Sequence, residues 1–218
     1  MSKSAFLLVK FLFFCFMLIT ISCKKSDKIL PILGEKEIKN TIVNGKSKID
    51  TIYHTIPNFT FIDQNSDTVN NQIYKGNKIY VADFFFTSCP TICPKMKTQM
   101  SRLYKHFIDN ESVAFLSHTI DPRHDTVPVL KEYSKNLGVE SNQWRFVTGE
   151  KEKIYEVGLK GYMATAKEDS TADGGFIHSG AFILVDKNQR VRGIYDGTIA
   201  TEVDELMADI DILLKEKK

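Results

Sequence analysis

Two cysteines four positions apart, Cys89 and Cys93, are the residues of this sequence whose type and spacing best suit them to chemistry. If both lie in the first turn of a helix, their Cβ atoms project from one face, about 5–6 Å apart. Modest unwinding at Pro90 or Pro94 would allow a disulfide, and the same spacing lets two thiolates bind one metal ion. The positive end of the helix dipole favours the thiolate, which both reactions need. The pair is therefore predicted to be a redox couple or part of a metal site.

The segments around the cysteines predict a junction between a strand and a helix. Residues 78–86 form a nearly continuous apolar run, which is typical of a central strand that is covered on both faces. The cysteines follow this run directly, and a helix is predicted from Cys89 to Phe107 with Pro90 in its first turn. Because ligand sites gather at the carboxyl ends of parallel strands, this position favours a functional role for the pair.

The remaining apolar patterns predict an α/β architecture. Further strands are predicted at residues 58–62, 112–120, 144–147, 181–185 and 191–195, and further helices at residues 127–137, 151–158 and 201–215. This order gives a mixed sheet flanked by helices, closed by a C-terminal hairpin and helix. Polar residues 164–175 have no predicted structure and lead to His178, and loops of this length are often functional.

Other polar residues have simpler interpretations. His118 lies in a predicted buried strand and is expected to be a hydrogen-bonded core residue. Asp121 and Asp125 precede the helix predicted at 127–137, and they are expected to cap it. The alternative for both aspartates is a role behind the metal ligands or a contact with a partner.

The first 22 residues have the pattern of an export signal of the lipoprotein type. Lys3 and Lys10 flank the start of an apolar run over residues 11–21. That run is roughly half the ~20 apolar residues that a spanning helix needs. Ser22-Cys23 follows it and resembles a bacterial lipobox, which predicts that Cys23 carries a lipid. An uncleaved anchor is the alternative, and either one tethers the domain to a membrane outside the cytoplasm, facing the periplasm.

The rest of the chain divides into a tether and one domain. Residues 23–52 are polar, without a sustained hydrophobic period, and are predicted to be a linker, whereas residues 53–218 form the folded domain. Cys15 lies in the signal and Cys23 would carry lipid. The thiols left to the domain are therefore Cys89 and Cys93. In an oxidising compartment these two thiols can pair only with each other, unless something else holds them.

The charge balance argues against one class of partner. Residues 1–23 contain two lysines and no acid, so the rest of the chain has 27 basic and 27 acidic residues. Nucleic-acid affinity rests on neutralising phosphates with basic side chains. A domain of zero formal charge has no bulk electrostatic reason to bind nucleic acid.

Four stretches of the sequence resemble the SCO/SenC family of thioredoxin-like copper proteins. They are YVADFFFTSCPTICPKM at 80–96, TIDPRHDT at 119–126, WRFVTG at 144–149 and His178-Ser179. The likeness covers the chain from about residue 56 to the C-terminus. Two departures are small: Pro128 comes one place later than in the family's pattern, and Ile177 stands where an aspartate is common.

The resemblance implies a thioredoxin-like fold and copper bound by Cys89, Cys93 and His178. It also implies a copper chaperone that helps to assemble the dinuclear copper site of cytochrome c oxidase subunit II or a similar acceptor. Two thiolates suit Cu(I) and an added imidazole also suits Cu(II), although zinc would accept the same ligands plus water. The rival is a thiol–disulfide oxidoreductase that reduces the acceptor's cysteines, with Cys89 attacking and Cys93 resolving. His178 separates the two, because a pure reductase needs no distant imidazole.

Overall fold

The computed structural model describes residues 28–43, 46–169, 171 and 175–216. The export signal at 1–22 and the lipidation site Cys23 lie outside the described residues, and both stay predictions. None of the helices in the described part of the chain combines the length and the hydrophobicity that a bilayer crossing requires.

The described residues form eleven strands and four α-helices, and strands and helices alternate in the middle of the chain. The strands are β1 (Lys36–Val43), β2 (Lys46–Tyr53), β3 (Thr60–Asp63), β4 (Thr68–Asn70), β5 (Ile79–Phe85), β6 (Val113–Thr119), β7 (Trp144–Thr148), β8 (Ala166–Glu168), β9 (Phe176–His178), β10 (Ala181–Val185) and β11 (Val191–Asp196). The α-helices are α1 (Cys93–His106), α2 (Val127–Asn136), α3 (Lys151–Glu156) and α4 (Ala200–Lys215).

Seven of these strands form one mixed sheet in the order β11-β10-β5-β6-β7-β3-β4. The central strands β5, β6 and β7 run parallel, whereas the outer strands pair antiparallel. Every residue of β5, β6 and β10 is buried, as expected for strands covered on both faces. The sheet, its helices and the closing β10–β11 hairpin with α4 confirm the predicted α/β fold.

The long helices cover the sheet with the apolar faces that their sequences predict. In α1 the buried residues Met96, Met100 and Leu103 recur at the spacing of one helix face. In α4 the predicted face is confirmed, with Val203, Leu206, Ile210 and Leu213 all buried. The two helices also contact each other.

His118 is a core residue, as predicted. Its ring stacks on Phe84 at a centroid distance of 5.1 Å, and its Nε2 atom lies 3.3 Å from the hydroxyl of Tyr162. Burial lowers the pKa of His118 to about 3, so this imidazole stays neutral.

The segment predicted to be a linker contains regular structure. Leu30 is only 3% exposed, and the guanidinium of Arg192 donates to the carbonyls of Leu30 and Pro31 at 2.8 and 2.9 Å. Strands β1 and β2 then pair with each other as a separate antiparallel hairpin. The hydrophobic pattern failed to predict this hairpin because its apolar side chains face solvent and so show no core-directed period.

The loop before His178 also differs from the expectation of no structure. Within residues 164–175, strand β8 pairs antiparallel with β9, and Ala166 lies opposite His178. A strand of three residues is too short to show the alternation of apolar and polar residues by which strands are predicted. These two strands are defined by their pairing with each other.

Candidate metal centre

The cysteine pair lies in the turn between β5 and α1. The backbone N–H of Cys89 donates to the carbonyl of Phe86 at 3.3 Å, which makes Cys89 part of the turn. Cys93 is the first residue of α1. The prediction that the helix begins at Cys89 is therefore wrong, because Pro90 disfavours helical backbone for the residue before it. The spacing still brings both thiols to one place.

The two thiols are not joined by a disulfide, and their surroundings treat them differently. Burial alone would raise the pKa of Cys89, but hydrogen bonds from the Cys93 thiol and from the N–H groups of Thr91 and Cys93 outweigh it and lower that pKa. Burial raises the pKa of Cys93, and its hydrogen bond to Cys89 raises it further. Cys89 is half-buried and prone to form the thiolate, whereas Cys93 is only 6% exposed and holds its proton.

Asp125 fastens the turn that carries Cys89. Its fully buried carboxylate accepts hydrogen bonds from the backbone N–H of Thr87 at 3.1 Å and from the Thr87 hydroxyl at 2.5 Å. It also accepts one from the hydroxyl of Thr119, at the end of β6, at 2.5 Å. One carboxylate therefore ties the strand that precedes α2 to the residues just before the cysteines.

The expectation that Asp121 and Asp125 cap α2 is wrong. The N-cap of that helix is Thr126, without a side-chain capping bond. Asp121 instead contributes its backbone carbonyl, which accepts the N–H groups of His124 and Asp125 at 3.1 and 2.9 Å. The carboxylate of Asp125 instead accepts from the hydroxyls of Thr87 and Thr119, so it is not available to the first turn of α2. A role of either aspartate behind a metal stays a prediction.

Asp83 is a buried acid that the sequence analysis missed. It lies in β5, accepts a hydrogen bond from the Ser117 hydroxyl at 2.5 Å, and lines a cavity of about 10 Å³ together with Cys93. Burial raises the pKa of Asp83 to about 7, although the bond from Ser117 opposes the change. The available signal was one acidic residue inside an otherwise apolar strand, since such residues are rarely buried without a role.

The segment that carries His178 folds against both ends of the cysteine turn. Two positions before His178, the ring of Phe176 lies 5.0 Å from the ring of Phe86. Two positions after His178, a Cβ on Gly180 would lie 3.5 Å from Cδ1 of Ile92, the residue before Cys93. The structure describes the backbone of His178, which pairs with β8. Among the side chains that it describes, none form a cluster of three His, Cys, Asp or Glu.

The mixed sheet, with a thiol pair where a central strand meets a helix, is the arrangement of a thioredoxin-like protein. Residues 48–215 match the SCO1/SenC family. A SCO1 protein homolog of Bacillus subtilis (strain 168) is 32% identical over 168 residues, covering 76% of this chain and 86% of that protein. The chain therefore belongs to the SCO1/SenC family, and the resemblance seen in its motifs is confirmed.

Solved structures agree with that assignment. BsSco, described as a member of the Sco family of cytochrome c oxidase assembly proteins with a disulfide switch, is 31% identical with a TM-score of 0.66. That match covers 75% of this chain and 95% of BsSco. Bradyrhizobium japonicum ScoI with copper bound shares the fold at a TM-score of 0.60 and 24% identity, over 73% of this chain and 99% of ScoI.

Proposed function

We propose that this protein is a copper chaperone that holds copper through Cys89, Cys93 and His178. In this proposal it passes the metal to the dinuclear copper site of cytochrome c oxidase subunit II or a similar acceptor. One observation supports the proposal: the β9–β10 segment bearing His178 lies beside both ends of the turn that holds the two thiols. Membership of the SCO1/SenC family supports copper as the cargo.

The donor set fits that cargo. Two thiolates are soft ligands that suit Cu(I), and an added imidazole makes a site that also accepts Cu(II). Cys89 is already inclined to be a thiolate, whereas Cys93 must lose a proton when metal binds. Asp125 keeps the turn in one conformation through Thr87, so the ligands are positioned before the metal arrives.

The asymmetry of the thiols favours a second candidate, a thiol–disulfide oxidoreductase acting on the acceptor. The Cys89 thiolate would attack one sulfur of the acceptor's disulfide, forming a mixed disulfide and releasing the other acceptor sulfur as a thiolate. Cys93 would then lose its proton and attack Cys89 Sγ, which releases the second acceptor thiolate. The products are a reduced acceptor and a Cys89–Cys93 disulfide, so two electrons pass to the acceptor.

We also propose that the protein is lipidated at Cys23 and faces the periplasm. The support is the sequence alone: a short apolar run between basic residues and Ser22-Cys23. Mass spectrometry of the membrane fraction should detect a lipid on Cys23, and Cys23→Ser should release the chain from that fraction. Recovery of Cys23→Ser in the membrane, with residues 1–22 still attached, would favour the uncleaved anchor.

The copper proposal is tested by comparing variants in copper titrations. We expect His178→Ala to lower Cu(II) affinity on the order of tenfold or more, because the variant lacks the imidazole donor. Cys93→Ser should weaken both Cu(I) and Cu(II). His124→Ala is the matched control, since this exposed histidine follows Asp121 in a solvated turn. If His178→Ala binds Cu(II) like the wild type and still reduces a disulfide substrate, the oxidoreductase is the better account.

A further inference from the structure

The β1–β2 hairpin has no part in the proposed copper site. It is a separate two-stranded sheet, and its residues are exposed or half-buried wherever their side chains are described. An isolated two-stranded hairpin is at best marginally stable in water, and a covered face stabilises it. The SCO1/SenC match begins at residue 48, so β1 lies outside the part of the chain shared with the family.

One face of the hairpin is uncharged between residues 38 and 51 and carries three isoleucines. Directly paired residues share a face, and every second residue along a strand does so too. The pairs on this face are Ile38 with Thr51, Asn40 with Ile49, and Ile42 with Ser47. The three isoleucines are 69%, 68% and 81% exposed in that pair order, which is unusual for aliphatic side chains grouped on one surface.

The opposite face carries most of the hairpin's charges. Glu37, Lys39, Lys48 and Asp50 lie there, and Lys48 pairs with Asp50 at 2.9 Å. Over residues 36–53 four lysines stand against two acids, a net charge of +2. The hairpin is therefore an amphipathic and basic element, which is the pattern of segments that lie on anionic membrane surfaces.

The hairpin is also fastened near the start of the chain. The N–H of His54 donates to the carbonyl of Glu35 at 3.0 Å, which continues the pairing of β1 and β2. The Nε2 atom of His54 lies 2.8 Å from the carbonyl oxygen of Gly161, which attaches the base of the hairpin to the body of the protein. Only fourteen residues separate the apolar run that ends at Ile21 from the first residue of β1. A chain tethered through that run would hold the hairpin beside the membrane.

We propose that the uncharged face of this hairpin rests on an anionic lipid bilayer. Ile38, Ile42 and Ile49 lie at the boundary between headgroups and acyl chains, and Lys36, at the end of the same face, meets lipid phosphates. The lysines of the opposite face add a longer-range attraction to the anionic surface. A protein partner fits less well, because interface centres are enriched in Tyr, Trp and Arg. Residues 36–53 contain no Trp or Arg, and the ring of their one tyrosine, Tyr53, is covered by Arg190 at 4.9 Å. The docking sets the orientation of the domain on the membrane and does not depend on copper.

The test uses tryptophans on the two faces of one strand. The full-length chain is reconstituted into vesicles of phosphatidylcholine and phosphatidylglycerol, with or without bromine on the acyl chains. Ile42→Trp should lose roughly half or more of its added emission to the bromines, since bound amphipathic elements reach the acyl boundary. Thr41→Trp, the adjacent position on the charged face, is the matched control and should lose little. The native Trp144 is only 2% exposed and gives a constant background.

Two further measurements vary the charge of the lipid and test whether the protein forms a dimer. Vesicles of phosphatidylcholine alone, or high salt, should reduce the quenching of Ile42→Trp, because both remove the attraction to lysine. Equal quenching at both positions, or none at either, would overturn the proposal, as would a chain that does not float with the vesicles. A dimer in sedimentation with unquenched Ile42→Trp would assign the face to a second copy. Normal copper binding in the same samples would leave the proposed function standing.

Discussion

Cys89 and Cys93 differ in what their surroundings do to the thiol. The partly exposed Cys89 has a lowered pKa, because its sulfur receives hydrogen bonds from the helix start and from Cys93. The buried Cys93 has a raised pKa, because it loses hydration and lies beside Cys89 and Asp83. Incoming copper or an incoming disulfide is therefore expected to react first at Cys89, with Cys93 completing the site or the disulfide.

Asp83 makes a pH-dependent contribution to stability in the metal-free protein. Its pKa is about 7 when folded and about 4 in an unfolded chain, so between these values the folded state binds the extra proton. Stability is therefore lost as the pH rises through this window, by roughly 4 kcal/mol at most. We expect Asp83→Asn to remove this loss. The free energy of unfolding of the variant should therefore rise relative to that of the wild type from pH 5 to pH 8.

Denaturant unfolding at four pH values between 5 and 8 measures this difference. Asp109→Asn, at an exposed carboxyl on the surface, serves as the control and should follow the wild type. A constant difference between Asp83→Asn and the wild type across the range would show that the acid is not protonated on folding.

At the scale of elements, the cysteine turn depends on its tie to β6. Asp125 supplies that tie through Thr87 and Thr119. Asp125→Ala leaves buried donors without an acceptor, so we expect a loss on the order of 3 kcal/mol in the free energy of unfolding. Copper affinity should fall with it, because the turn is no longer held in its binding conformation. Titration and unfolding of the same preparation measure both effects.

Asp121→Ala is the matched control for that experiment, since Asp121 holds the turn at 121–125 through its backbone carbonyl, which the substitution keeps. It should change stability and copper binding much less than Asp125→Ala. Equal effects of the two substitutions would mean that the hydrogen bonds to Thr87 and Thr119 are not what positions the cysteines.

The sequence predicted the elements around the site well, for a physical reason. The runs at 78–86 and 112–120 are covered on both faces, so burial forces a continuous apolar sequence that is easy to recognise. The start of α1 was misplaced because Pro90 and Pro94 both suit a first helical turn. The tie from Asp125 could not be predicted, because it depends on two threonines that only the fold brings to the carboxylate.

At the scale of the whole molecule, the N-terminal segment is attached to the C-terminal half. Arg192, only 5% exposed, donates to the carbonyls of Leu30 and Pro31 and to the carboxylates of Asp186 and Glu216. Lys28 adds a pair with the buried Asp209 at 2.7 Å. Residues 28–31, which belong to the predicted tether, are thus held against β11 and α4.

Replacing Arg192 should therefore release this segment. Arg192→Leu leaves one oxygen of the buried Asp186 carboxylate and two backbone carbonyls without the guanidinium donor, so we expect a loss of about 3–5 kcal/mol in the free energy of unfolding. Limited proteolysis should then cut within residues 28–35. Arg190→Leu is the control: Arg190 lies over the ring of Tyr53 at 4.9 Å, a contact worth about 1 kcal/mol. Equal stability of the two variants would contradict this role of Arg192.

The sequence also could not predict where the hairpin and His178 lie relative to residues that are distant in the chain. The hairpin had a local signal in Asn44-Gly45, a dipeptide typical of two-residue hairpin turns, but its alternation does not point to any core. His178 is 85 positions from Cys93, and only family resemblance linked the two in sequence. Phe176 and Gly180 lie beside the cysteine turn, and ligation by His178 stays a prediction.

X-ray absorption at the copper edge tests the central claim most directly, because it counts the donor atoms around the loaded metal. The account predicts two sulfur donors and imidazole scattering in the wild type, with the imidazole signal absent from His178→Ala and a sulfur lost in Cys93→Ser. His124→Ala should match the wild type. An imidazole signal that persists in His178→Ala, or a single sulfur in the wild type, would contradict copper ligation by Cys89, Cys93 and His178.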